Sequence, residues 1–213
     1  MIKGVIFDMD GVIADSLGVH NKAFIQLFRK YKLKLTKNDI KSTYGKSTKE
    51  NLKNLKRKYN MKTPLNKLIK ERDSILMGMI YKIKQIPGAV KLIKELSSLK
   101  KLAVASSSRR QIIKKILKNL KIEKFFSVVV SSEDVVKSKP NPDILLFTKR
   151  KLGLKKDELI VIEDSRNGII AAKRAKIKCI AIPNKYTKNE DFSSADYITK
   201  SMIDAKRIIS HIK

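Results

Sequence analysis

Short apolar runs alternate with segments of helical spacing along most of the chain. The first run, Gly4-Val5-Ile6-Phe7, ends in acidic residues. Later runs occupy residues 102–105, 126–130, 159–162, 179–182 and 195–198. Segments with helical spacing of apolar residues lie near 88–99, 108–120, 141–152, 165–176 and 201–212. Because the runs are almost wholly apolar and alternate with helices, the pattern predicts an α/β fold: a parallel sheet covered by helices on both faces.

Residues from about 15 to 85 interrupt this alternation. They show helical spacing over 21–31, 51–59 and 64–83, with Pro64 at a first helical turn. The Ile86-Pro87-Gly88 break then returns the chain to the alternating pattern. The sequence therefore predicts a core domain formed by residues 1–14 and 86–213 and a helical insertion, or cap, formed by residues 15–85.

Composition places the protein among globular chains: 42% of residues are hydrophobic and 32% charged. The single cysteine, Cys179, lies in an apolar run and is interpreted as a buried hydrophobic residue, not part of a disulfide framework. No apolar stretch approaches the roughly 18 residues of a membrane span. We therefore expect a cytoplasmic protein without membrane attachment.

The formal net charge of +29 would attract anions of any kind. It permits two interpretations: a surface for nucleic acid or phosphorylated substrates, or a lysine-rich composition spread over all solvated faces. The basic residues are dispersed, and only nine of the 49 are arginine, the side chain best suited to bidentate phosphate contacts. The second interpretation is favoured, so we expect no nucleic-acid partner; separately from the charge, the chain is expected to be a monomer.

Polar side chains follow four of the apolar runs. They are Asp8 and Asp10, Ser106 to Ser108, Lys139, and Glu163 with Asp164. Because the carboxyl ends of parallel strands meet at one edge of a sheet, we expect these groups to lie together. Asp164, helped by Glu163 and Asp8, offers the hard oxygen ligands that Mg²⁺ prefers. Lys139 adds a fixed positive charge, and Ser106 a hydrogen-bond donor for a phosphoryl oxygen.

These residues resemble the four signature motifs of the haloacid dehalogenase superfamily. The matching segments, in order, are Asp8-Met9-Asp10-Gly11-Val12-Ile13-Ala14-Asp15-Ser16, Ala105-Ser106-Ser107-Ser108, Lys139-Pro140 and Glu163-Asp164-Ser165. The chain is most similar to members with a helical cap after the first motif, such as beta-phosphoglucomutases and phosphoglycolate phosphatases. The resemblance implies a three-layer Rossmann-like core.

The resemblance also implies roles. Asp8 would form an aspartyl-phosphate, and Asp10 would protonate the leaving oxygen and then activate the acceptor. Mg²⁺ would be held by the Asp8 carboxylate, the Asp10 backbone carbonyl and Asp164, with Glu163 acting through water or as an outer ligand. The phosphoryl group would be bound by Ser106, Ser107 and Lys139.

Residues of the insertion help to decide whether the chain is a phosphatase or a mutase. His20 and the turn Gly45-Lys46-Ser47 lie where cap residues of beta-phosphoglucomutases contact substrate, and they are tentative substrate residues here. Those mutases have an arginine where this chain has Thr48, and a bidentate clamp is not replaced conservatively. Their cap lysine has no unambiguous counterpart here either, although Lys46, Lys49 or Arg72 could substitute. We therefore predict a Mg²⁺-dependent phosphatase for a small phosphometabolite of the sugar-phosphate or phosphoglycolate type. The alternatives are a phosphoglucomutase-like transfer and a non-catalytic scaffold that binds polyanions.

Overall fold

The computed structural model describes residues 1–212 and has a six-stranded parallel sheet at its centre. The strands, in chain order, are β1 (Gly4–Phe7), β2 (Lys101–Ala105), β3 (Val128–Val130), β4 (Leu159–Glu163), β5 (Lys178–Ala181) and β6 (Tyr197–Ile198). Their spatial order is β3-β2-β1-β4-β5-β6, which places β1 between β2 and β4. The α/β prediction is confirmed. The final residue of the predicted core, Lys213, lies outside the described residues.

Helices cover both faces of the sheet, and β1 shows how its sequence divides between them. Val5 and Phe7 pack into a cluster with residues of three helices, α5 (Ala89–Ser97), α6 (Arg110–Asn119) and α9 (Met202–His211). Ile6 points to the opposite face, where α7 (Asp143–Leu152) and α8 (Arg166–Ala175) lie. Both faces of β1 are thus buried, which explains its unbroken apolar sequence.

Four helices stand between β1 and α5. They are α1 (Leu17–Lys30), α2 (Lys37–Lys41), α3 (Thr48–Lys58) and α4 (Leu65–Met77). Phe24, Phe28, Leu52 and Leu68 are among the buried residues of a separate hydrophobic cluster inside this segment. The segment lies within residues 15–85, for which we keep the name helical insertion; the domain division itself stays a prediction. No helix within residues 1–212 has the length and apolar content needed to cross a membrane.

The insertion differs from the prediction in two places. The segment predicted as helical over 64–83 forms α4 only to Met77, turns at Gly78 and continues as a 3₁₀ turn over Ile80–Lys82. Glycine has low helix propensity, which favours an end there. The five-residue α2 was not predicted, because it is too short for a periodic pattern. Its signal was local: Thr36 and Asp39 form a capping box.

Candidate active site

The register of the sheet brings the polar strand ends together. Phe7 pairs with Val104 on one side and with Ile162 on the other. The next residues along these strands lead to Asp8, Ser106 and Glu163 at one edge of the sheet. This placement agrees with the rule that parallel sheets carry their sites beyond the strands' carboxyl ends.

Lys139 joins two of these carboxylates. Its Nζ donates to Asp8 Oδ1 at 2.7 Å, to Glu163 Oε1 at 2.5 Å and to the Ala105 carbonyl at 3.0 Å. The side chain is buried and has three acceptors for its three donors. Although burial opposes its charge, the neighbouring Asp8 and Glu163 raise the pKa of Lys139. A permanent cation therefore stands beside Asp8.

One lysine does not balance three acids. Asp8, Glu163 and Asp164 place carboxylate oxygens within 4.8 Å of one another. Burial, with repulsion from Glu163, raises the pKa of Asp8 to about 7 and that of Asp164 well above its usual range. The site thus carries excess negative charge when all three are ionised, a condition that a divalent cation relieves.

The donor set indicates which acids would hold that cation. Glu163 Oε1 accepts from Lys139, and Oε2 accepts from the Asp164 and Ser165 amides and from Ser165 Oγ. Asp8 Oδ2 and Asp164 Oδ1, by contrast, have no hydrogen-bond partner within residues 1–212. Asp8 and Asp164 therefore fit Mg²⁺ as direct ligands, with Glu163 behind them.

The Asp10 carboxylate has different neighbours. Ser16 Oγ donates to Oδ1 at 2.5 Å, and Ser108 and Ser106 donate to Oδ2 at 2.7 and 3.2 Å. His20 Nε2 lies 3.1 Å from Oδ1. Burial would raise the pKa of Asp10, but His20 and these hydroxyls hold it well below its usual range. Two acids separated by one residue thus occupy opposite electrostatic environments, and the Asp10 side chain lies outside the acidic trio.

Two glycines permit the close packing of the site. Gly11 has φ +96°, and a Cβ there would lie 2.1 Å from Asp164 Oδ2. A Cβ on Gly168, in the first turn of α8, would lie 1.9 Å from the carboxylate carbon of Glu163. The motif needs glycine at both positions because the carboxylates occupy that space.

The helical insertion reaches this site through the turn at Gly45. Ser107 Oγ donates to the Gly45 carbonyl at 3.3 Å, and Asn167 Nδ2 donates to the Tyr44 carbonyl at 3.1 Å. Gly45 and Lys46 line the cavity between insertion and core. Ser47 is not among the lining residues; it caps α3, accepting from the Glu50 amide at 3.2 Å. Its predicted role as a substrate residue is therefore not supported by its placement.

Of two further residues of the site, sequence reasoning left Arg72 as one of three possible counterparts of a cap lysine and missed Asn184. Arg72, in α4, is buried, lines the cavity and approaches His20 Nδ1 at 2.5 Å. Asn184 donates to Asp164 Oδ2 at 2.6 Å. Asn184 had a usable signal, since it follows the apolar run 179–182 just as the other site residues follow theirs. The residue pattern did not single Arg72 out from Lys46 and Lys49, because it lies in a charged helical segment.

The cavity that contains Asp8, Asp10 and Asp164 is small. Its volume is about 50 Å³, and its other walls include α1, the Gly45 turn, Arg72 and the core residues Ser107 and Ser165. Pockets that hold small organic ligands measure at least about 300 Å³. A substrate larger than a few atoms therefore enters only if the insertion moves away from the core.

Comparison with known proteins agrees with this geometry. Residues 5–182 match the haloacid dehalogenase-like hydrolase family model. The chain is 29% identical over 204 residues to the bifunctional riboflavin kinase/FMN phosphatase of Arabidopsis thaliana, covering 95% of this chain and 54% of that one. It thus spans about half of that relative. It is also 29% identical over 184 residues to the phosphorylated carbohydrates phosphatase of Thermotoga maritima, covering 84% of each.

Solved structures give the same result. CbbY from Rhodobacter sphaeroides, in complex with phosphate, has a TM-score of 0.87 at 25% identity, over 94% of this chain and 95% of that chain. A variant of that protein in complex with xylulose-(1,5)bisphosphate has a TM-score of 0.86 at the same identity and coverage. With 178 of 213 residues inside the family match, the chain belongs to the haloacid dehalogenase-like hydrolase family.

Proposed function

We propose that the protein is a Mg²⁺-dependent phosphatase that hydrolyses a small phosphometabolite through an aspartyl-phosphate on Asp8. The observation that carries the proposal is the arrangement of Asp8. Its Oδ1 is held by Lys139, its Oδ2 has no hydrogen-bond partner within residues 1–212, and Asp164 lies beside it. This arrangement orients one carboxylate oxygen for attack while nearby positive charge offsets repulsion from a phosphoryl group.

The reaction then has two steps. A carboxylate oxygen of Asp8 forms a bond to phosphorus as the bond to the ester oxygen breaks, and Asp10, after taking up a proton from a monoanionic ester or from solvent as the substrate binds, passes that proton to the ester oxygen. In the second step Asp10 takes a proton from water, which attacks the phosphorus and returns Asp8 to its carboxylate form. Mg²⁺, held by Asp8 and Asp164, would neutralise charge on the phosphoryl oxygens. Lys139 keeps Asp8 oriented throughout.

The substrate class follows from the closed cavity and from the relatives. The insertion contributes His20, Lys46 and Arg72 to the walls, which are polar and cationic groups suited to hydroxyls or a second anionic group. The Thermotoga relative is named for phosphorylated carbohydrates, and the CbbY variant binds a sugar bisphosphate. We therefore infer that the substrate is a phosphorylated carbohydrate small enough to be enclosed by the insertion.

Mutase chemistry is the second candidate. His20 lies beside Asp10, the expected acid/base, and the Gly45 turn contacts the core. A phosphoglucomutase-like transfer would use both features. The Thr48 side chain, however, is buried at the start of α3 and supplies no bidentate phosphate clamp. Water as acceptor is favoured for that reason. A purely binding scaffold would have no use for three crowded carboxylates at an anion site.

Phosphate release from a panel of sugar phosphates, phosphoglycolate and nucleotides, with and without Mg²⁺, tests the proposal. We expect release from a sugar phosphate by the wild type and none by Asp8→Asn. Mutase activity is tested with beta-glucose 1-phosphate and a bisphosphate primer. Formation of glucose 6-phosphate without net phosphate release would replace the phosphatase by the mutase, and no turnover on any substrate would contradict both.

A further inference from the structure

An ionic chain connects the core surface to Asp10 through the helical insertion. It begins at Arg109, which follows the Ser106 to Ser108 segment of the core. Arg109 Nη1 donates to Asp73 Oδ2 in α4 at 2.7 Å, and its Nη2 donates to Glu133 Oε1 of the core at 2.9 Å. Gln111 Nε2 also contacts Asp73 Oδ2, at 3.3 Å. Asp73 is only 2% exposed, so the core reaches a buried acid of the insertion.

The chain continues from Asp73 to the active site. Asp73 Oδ1 accepts from Arg72 Nη1 at 3.3 Å, and Arg72 Nη2 lies 2.5 Å from His20 Nδ1. The guanidinium of Arg72 also stacks over the Phe24 ring at 4.8 Å, which restricts its position. His20 Nε2, on the other side of the imidazole, lies 3.1 Å from Asp10 Oδ1, at ion-pair distance but without the alignment of a hydrogen bond.

The direction of these contacts fixes the state of His20. A guanidinium has donors and no acceptor, so Nδ1 of His20 must accept from Arg72. The imidazole proton of a neutral His20 then stands on Nε2, the nitrogen that faces Asp10. Arg109 holds one Asp73 oxygen and leaves the other for Arg72, which keeps Arg72 directed at His20.

We propose that Arg109 and Asp73 are positioning residues that, when the insertion lies on the core, hold the Nε2–H tautomer of His20 against Asp10. Without Arg109, only the longer contact from Gln111 competes for Asp73 Oδ2, so Arg72 engages both Asp73 oxygens and turns away from Nδ1. The acid/base is therefore complete only in the closed arrangement. The part of this inference that concerns catalysis rests on the proposed function, whereas the part that concerns the tautomer does not.

Arg110 supplies a matched control. It is adjacent to Arg109 and also pairs with an acid of the core, donating to both oxygens of Asp134 at 2.5 and 2.6 Å. Its contacts lie within the core, so it does not bridge to the insertion. Arg109→Ala and Arg110→Ala thus remove one exposed core ion pair each, and only the first also removes the link to Asp73.

Nitrogen-15 NMR of the imidazoles tests the tautomer directly, because the chain has only two histidines, His20 and the exposed His211. We expect the Nε2–H form at His20 in the wild type and in Arg110→Ala. We expect a mixture of tautomers in Arg109→Ala and Asp73→Asn, with Arg109→Lys restoring part of the wild-type spectrum. An unchanged His20 spectrum in Arg109→Ala would overturn the inference, whatever the enzyme's activity.

A leaving-group comparison tests the catalytic consequence. An alkyl phosphate needs a proton from Asp10 at its leaving oxygen, while p-nitrophenolate leaves without one. Arg109→Ala should lower the first-turnover rate on an alkyl phosphate by about 10²-fold and the rate on p-nitrophenyl phosphate far less. In a His20→Gln background, adding Arg109→Ala should cause no further loss of rate. Equal losses on both substrates would show a merely structural tether. The His20 tautomer could change as expected in Arg109→Ala and Asp73→Asn while the wild type shows no Mg²⁺-dependent turnover. That result would contradict the proposed function and leave the inference about the tautomer standing.

Discussion

At the scale of single residues, the site depends on what surrounds each carboxylate. Asp8 is paired with Lys139 amid other acids, whereas Asp10 is surrounded by hydroxyls and His20. Environments that push two acids' pKa values in opposite directions are a sign of divided catalytic roles. The same crowding that raises the pKa of Asp8 and Asp164 makes the site suitable for a divalent cation.

Magnesium should therefore stabilise the folded protein through Asp164. We expect Mg²⁺ at 100 times its dissociation constant to add about 2.7 kcal/mol to the free energy of unfolding, and EDTA to remove this gain. Asp164→Asn should lose the response while remaining as stable as metal-free wild type, because it relieves repulsion. Thermal unfolding with and without Mg²⁺ measures both effects. The exposed Asp157→Asn is the control, and an equal Mg²⁺ response in Asp164→Asn would refute the assignment.

The site residues differ in how far the sequence revealed them. Asp8, Lys139 and Asp164 were predicted because each follows an apolar run, and register in a parallel sheet then brings them together. Their charges alone did not show which oxygen of Glu163 is engaged or that Ser47 turns away to cap α3. Arg72 was not singled out from the other candidates because its contact with His20 depends on how α1 packs on α4, which no local pattern encodes.

At the scale of elements, strands were predicted more reliably than helix ends. The predicted strands rest on runs of apolar residues buried on both faces, a strong and local signal. Helices of the insertion depend on one-sided burial and on caps, so their bounds were less certain. The end of α4 at Met77 and the capping box of α2 were both set by single residues.

The start of α8 gives a prediction about packing between elements. Gly168→Ala would place a methyl group on the Glu163 carboxylate, so we expect a loss of at least about 2 kcal/mol in unfolding free energy. Phosphatase activity should fall with it. Gly78→Ala, at the end of α4, has its nearest neighbour at 3.6 Å and φ of −64°, so it should be neutral or stabilising by up to about 1 kcal/mol. Urea unfolding compares the two, and an unperturbed Gly168→Ala would contradict the packing described.

The contact between α2 and α3 gives a prediction about pH. Asp39 accepts from Thr36 Oγ1 at 2.7 Å, Lys58 Nζ at 2.5 Å and Tyr59 Oη at 2.6 Å. These partners outweigh burial and hold the pKa of Asp39 well below its usual range. Asp39→Asn should cost about 1–3 kcal/mol at pH 7.

The sign of the pH effect follows from the direction of that shift. A lowered pKa in the folded state means that the stabilisation is complete above the unfolded value, near 4, and is lost as pH falls below it. The gap between wild type and Asp39→Asn should therefore narrow in acid. Urea unfolding at pH 7 and pH 3.5 measures it, and a gap that widens in acid would show that Asp39 is not held as its carboxylate.

At the scale of the whole molecule, the proposed reaction would require the insertion to open for the substrate and close over the core. The cavity is too small for a sugar phosphate to enter, and the Gly45 turn and the Arg109–Asp73 pair both span the two parts. The insertion was predicted from the interrupted alternation of strands and helices. Its docked orientation was beyond the sequence, because it is set by contacts between residues far apart in the chain.

The net charge of +29 predicts a salt-dependent attraction that is separate from catalysis. We expect weak binding of an RNA oligonucleotide at low salt, with the logarithm of the binding constant falling steeply against the logarithm of salt concentration. Asp8→Asn should leave this binding unchanged, since the charges are dispersed. Fluorescence anisotropy across a salt series measures it. Tight binding that persists at high salt would point to a dedicated nucleic-acid surface.

The central claim is that Asp8 carries the phosphoryl group during turnover. The most direct test is to quench the enzyme during steady-state turnover of its best substrate, reduce any acyl phosphate with borohydride, and map the modified residue by peptide mass spectrometry. The account predicts conversion of Asp8, and of no other residue, to homoserine, with none in Asp8→Asn or without Mg²⁺. Rapid turnover with no trapped modification, or modification at another residue, would contradict it.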